Sequence, residues 1–114
     1  MLEPEIPIVD AHHHLWASTA SSRVSFGLGT YLLPDLLADI NLASKDSGHN
    51  IRHTVFVQCG AMYRADGPPQ LQPVGETEFV QGVAAMSASG AFDHIGAAPR
   101  IASAIISFAD LRQG

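Results

Sequence analysis

Apolar positions along the chain alternate between short β-branched runs and longer stretches with helical spacing. The first run, "IPIVDAHHH" from Ile6 to His14, places apolar residues on alternate positions and predicts a strand over about 6–14. A helix over about 34–46 follows. Leu36, Leu37 and Ile40 share one of its faces, Pro34 suits its first turn, Asp35 complements its positive end, and Gly48 stops it. "TVFVQC", 54–59, has the β-branched and aromatic content of a buried strand. A second helix over about 76–89 opens on Glu76 and Glu78, buries Phe79, Val80, Val83 and Ala84, and closes at Gly90. "ASAIISFADL" predicts a third strand over about 104–109. Two long loops join these elements. "ASTASSRVSFGLG" is long enough to cover a site, and "GAMYRADGPPQLQPVG" is stiffened by Pro68, Pro69 and Pro73.

Strands that alternate with helices imply an α/β fold, with parallel strands joined by right-handed crossovers. The 114 residues are expected to form one domain, 1–114. A parallel sheet normally has both faces covered, so three strands with two helices read as interrupted after the third strand. A truncated gene product is the expectation.

Charge removes some partners. The formal net charge is −5, and the six Lys and Arg are scattered, which argues against nucleic acid and anionic membrane surfaces. Glu3 and Glu5 stand where a secretory leader carries positive charge, and no apolar run reaches the ~18 residues of a membrane span, so a cytoplasmic protein is expected. The single cysteine, Cys59, rules out an internal disulfide and any multi-cysteine zinc module, and packing is its expected role.

The chemistry lies in "IVDAHHHLW". A tag would be polar all round, whereas this triplet is flanked by Ile8, Val9, Ala11, Leu15 and Trp16. Side chains alternate along an extended chain, so Asp10, His12 and His14 point one way and Val9, Ala11 and His13 the other. The pattern is therefore Asp-x-His-x-His. Two such imidazoles start ~6.5–7 Å apart along the backbone and can converge on one ion. A chance His-x-His held by ordinary hydrogen bonds is the competing reading.

"IVDAHHHLW", "YLLPDLLADI", "TVFVQCGAMYRADGP", "PVGETEFVQGVAAMSASG" and "ISFADLRQG" together resemble the N-terminal part of the amidohydrolase-related metal-dependent hydrolases, the group that includes sugar-acid and pyrone-dicarboxylate lactonases. The resemblance spans essentially the whole chain, and Asp-x-His-x-His is its most specific element. It implies an incomplete (β/α)8 TIM barrel, comprising the first three strands and first two helices. It also implies that His12 and His14 ligate a divalent ion, zinc foremost, at the C-terminal end of the first strand, and that His13 does not. Catalytic residues would stand on later strands absent here. The full-length activity implied is hydrolysis of a lactone or ester C–O bond, or of a C–N bond, in a small-molecule substrate, and the 114-residue chain alone would be inactive. Decarboxylases related to the family share the same His-x-His.

Other residues keep two readings each. Asp10 orients a histidine or makes a structural hydrogen bond. Asp110 acts at a strand end or caps a following helix. Arg64 binds a substrate carboxylate through its fork of donors or is a solvated loop residue. Met62, Tyr63 and Trp16 line a pocket mouth or pack, and His49, His53 and His94 show no ligand spacing. The non-catalytic alternative is a small binding module. In either case an unpaired strand edge and uncovered apolar face imply self-association.

Overall fold

The computed structural model describes residues 3–17 and 29–113, so the loop expected to cover the site lies, for the most part, outside the described residues. Element order is β1 (Pro7–His13), β2 (Trp16–Ala17), β3 (Thr30–Tyr31), α1 (Leu33–Ser47), β4 (Asn50–Val57), α2 (Val74–Ala88) and β5 (Arg100–Ile106), with short 3-10 turns between and after them. β1, β4 and β5 form a parallel sheet in the order β1-β4-β5, while β2 and β3 form a separate antiparallel ribbon.

The α/β reading stands, and the barrel does not. A (β/α)8 barrel begins strand, helix, strand, but here the first helix is reached only after a β-β-β succession. The cause is local. After His14 the chain turns into Trp16–Ala17, which pairs with Thr30–Tyr31, and the two rings stack with centroids 5.0 Å apart. That closure converts the expected plain loop into a ribbon. The sheet is an open three-stranded one.

α1 starts one residue before Pro34, which occupies its first turn, and Asp35 Oδ2 accepts the Leu32 backbone N–H at 2.9 Å. It ends at Gly48, whose φ of 70° is the left-handed conformation that glycine adopts without strain. β4 begins at Asn50, four residues before the apolar run, because Ile51 already packs against the core. It ends at Val57. β5 likewise runs earlier than its apolar pattern suggests, since Ile101 and Ala102 are buried.

One core joins these elements: Leu33, Leu36, Leu37 and Ile40 of α1, Val80 and Val83 of α2, Phe56 of β4, Ile101 of β5, and Leu15. Fully burying each such side chain contributes roughly 1.5–3 kcal/mol. The opposite sheet face is open. Val55 and Val57 pair in register with Ala104 and Ile106, and the latter two are exposed.

Polar stitches hold the sheet where its ladder slips. Between His53 and Val55 the β4–β5 register shifts, and Ala102 takes a φ of 54°. Its N–H donates to Thr54 Oγ1 at 2.9 Å, while the neighbouring Ile101 N–H donates to Ser87 Oγ at 2.9 Å. A buried N–H that lost its ladder partner would otherwise cost about 1–3 kcal/mol. Among the described residues no helix is long and apolar enough to cross a membrane.

Candidate metal centre

β1 delivers the histidine triplet to the C-terminal end of the sheet. A register irregularity between Asp10 and His13 turns the strand there, and Asp10 Oδ1 accepts the His12 backbone N–H at 3.2 Å. Asp10 therefore braces the backbone and is not bonded to an imidazole. His12 is exposed and His14 half-buried, and their Nε2 atoms stand 3.2 Å apart with the rings at 90°. His13 goes elsewhere. It is buried against Phe56, with Nε2 2.8 Å from Thr54 Oγ1.

The pair's tautomers follow from one bond. His14 Nδ1 lies 2.7 Å from the Val57 carbonyl, which can only accept, so Nδ1 carries the proton. Neutral His14 then presents a lone pair at Nε2, and the His12 Nε2–H is the donor between the rings. Anchoring of Nδ1 to a carbonyl, which fixes ring and tautomer and leaves Nε2 to ligate, is the usual support of a metal-bound histidine. The separation also fits. Two nitrogens bound at about 2.05 Å to a tetrahedral ion stand ~3.3 Å apart, close to the distance seen.

Among the described residues no group of three or more His, Cys, Asp and Glu gathers in a way that could hold an ion. The sequence of 18–28 contains none of those residue types either.

The other expected residues make contacts of their own. Arg64 makes an ion pair with Glu78 of α2, both largely exposed. Asp110 accepts hydrogen bonds from the backbone and guanidinium of Arg112, two residues further on. Trp16 stacks on Tyr31, whose hydroxyl donates to Asp39; burial, together with that carboxylate, raises the phenol well above its ordinary range. His53 bonds to Ser103 and His94 to the Ala91 carbonyl. A groove of ≈ 590 Å³ runs between α2 and β5, lined in part by Gln81, Ala84, Arg100 and Ile105, and includes neither His12 nor His14.

Two residues with structural roles escape sequence reasoning. Val57 acts through its carbonyl, which no side-chain pattern reports. Glu76 reads as a helix opener, yet it is buried and its carboxylate accepts the backbone N–H groups of Cys59, Gly60 and Ala61, the last at 2.8 Å. It pins the segment after β4. Burial and the facing Glu76 carboxylate push the Cys59 thiol up to about 12, which favours its protonated form.

Compared with family models, curated proteins and solved structures, the chain gives no match in any of the three.

Proposed function

We propose that this chain supplies the ion-holding histidines of a metal-dependent hydrolase acting on the C–O bond of a lactone or ester, or on a C–N bond. The observation that carries the proposal is the His12–His14 pair, with Nε2 atoms 3.2 Å apart and His14 anchored through Nδ1 to Val57. Hydrolysis as the reaction class rests on the resemblance of the sequence around that pair. A small-molecule substrate and a cytoplasmic setting belong to the same proposal and rest on composition.

A divalent ion held there would supply Lewis acidity, which lowers the pKa of bound water toward about 7 and polarises a carbonyl. His12 and His14 are the residues that would hold it. Val57 keeps the His14 ring from turning away, and Asp10 holds the strand in the shape that brings His12 to meet it. No carboxylate or further histidine of the described residues joins them to move a proton.

Zinc competition against a chromophoric chelator tests the proposal. The chain is expected to take up zinc, and the His12→Ala, His14→Ala double variant to lose that uptake. Absence of uptake by the unaltered chain ends the proposal. The isolated 114-residue chain is expected to hydrolyse no lactone above the double variant, because no carboxylate or further histidine gathers at the pair among the described residues.

A further inference from the structure

We propose that Thr54 positions the His12–His14 pair, acting through His13 from inside the core. The use of the pair for an ion rests on the reading given above, whereas the positioning is a property of the ion-free chain.

β1 slips at the triplet. It advances from Asp10 to His13 while β4 advances only from Thr54 to Phe56, so β1 carries an extra residue where the histidines begin. A bulge of this kind re-aims side chains, and the directions of the three rings then need an anchor beyond strand alternation. His13 is that anchor. Its ring is 8% exposed, stands edge-on to Phe56, and has Nε2 2.8 Å from Thr54 Oγ1. A buried imidazole without partners is costly, and Nδ1 already lacks one, so the Thr54 hydroxyl decides whether the ring stays inside. With His13 held inward, its two neighbours meet outside the core, their Nε2 atoms 3.2 Å apart.

The same hydroxyl serves the other side of β4. There β4 advances from His53 to Val55 against Arg100 to Ala104 of β5, and within that slip the Ala102 N–H donates to Thr54 Oγ1 at 2.9 Å. One fully buried oxygen joins three strands at both irregularities. Valine has the shape of threonine without the hydroxyl, and would join none of them.

Long-range 1H–15N spectra of the full chain, labelled with 15N-histidine, in EDTA at neutral pH, test this, with circular dichroism reporting the fold. The unaltered chain should show His14 as Nδ1–H and His12 as Nε2–H. Thr54→Val should replace both patterns with the averaged signals of freely exchanging imidazoles, and Thr54→Ser, which keeps the hydroxyl, should retain them. In the His13→Phe, Thr54→Val double variant the two facing side chains need no bond to each other. Its fold and the pair's two patterns should return, even where Thr54→Val alone fails to fold. A folded Thr54→Val with unchanged pair signals overturns the proposal, as does their loss in Thr54→Ser. A double variant that loses the pair or the fold also overturns it, because Thr54 would then act through Ala102 and not through His13. An unaltered chain without the two tautomers removes the pair geometry, and this assignment with it. Zinc uptake is read separately: its absence ends the ion-holding reading and leaves the dependence of the ion-free spectra on Thr54 standing.

Discussion

At the level of single residues, three consecutive histidines do three different jobs, and the difference lies in what each ring nitrogen faces. His14 faces a carbonyl through Nδ1, His12 faces His14, and His13 faces Thr54 in the core. Metal-free protein at neutral pH is therefore expected to show His14 as the Nδ1–H tautomer and His12 as Nε2–H in long-range 1H–15N spectra. Zinc should convert His12 to Nδ1–H and leave His14 unchanged. A His14 ring protonated at Nε2 would contradict the anchoring. His13 carries a different consequence. Burial lowers its pKa below the ordinary 6.5, against a smaller opposing pull from Asp10, and its Nδ1 has no hydrogen-bond partner. The unfolded chain then binds a proton on His13 that the folded chain refuses. Stability is full above pH ~6.5 and falls as the pH drops from there through the folded-state pKa, by at most about 1.4 kcal/mol per unit. Urea melts between pH 7 and 5 should show a shallower loss in His13→Gln than in the unaltered chain, and equal slopes would discard this account.

At the level of elements, the packing of α2 on the segment after β4 yields a contrast within one helix. A Cβ on Gly75 would sit 2.5 Å from the Met62 carbonyl oxygen and 2.7 Å from the Arg64 nitrogen, both backbone atoms that cannot step aside cheaply. Gly82 has nothing within 4 Å of that position. Gly75→Ala should lower stability by roughly 1–3 kcal/mol, the ordinary cost of overpacking. Gly82→Ala should raise it by about 0.5–1 kcal/mol through helix propensity. Thermal melts of both variants check the pair, and a stable Gly75→Ala would mean that α2 does not seat as described. Glu76→Gln should weaken the same junction, by roughly 1.5–3 kcal/mol for hydrogen bonds to a buried charge. It should also speed alkylation of Cys59, whose facing carboxylate would be gone. Of this junction the sequence shows little, because Glu76 has the pattern of any acidic residue in a first helical turn. The helices themselves were legible, through Pro34, Gly48 and the 3.6-residue spacing of Leu36, Leu37 and Ile40. Strand starts were not, since Asn50 and Arg100 enter the sheet on the strength of tertiary burial at Ile51 and Ile101 rather than local pattern.

At the level of the whole molecule, the alternation of apolar runs carried the parallel α/β layering but not its closure. The ribbon after β1 was not legible, because the Trp16–Tyr31 stack joins residues separated by a polar stretch without periodicity. His12 and His14 were legible because period-two alternation alone separates them from His13. The resulting molecule has an aliphatic sheet face with Ile106 52% exposed and an edge strand ending in the histidine pair. Its stability should therefore respond to the ion as a whole. A ligand at about a hundred times its Kd stabilises the folded state by roughly 2.7 kcal/mol, whatever its chemistry. Zinc should raise the melting temperature of the chain and leave that of His12→Ala unchanged. An equal rise in both chains would remove the histidine pair as the place where the ion is held.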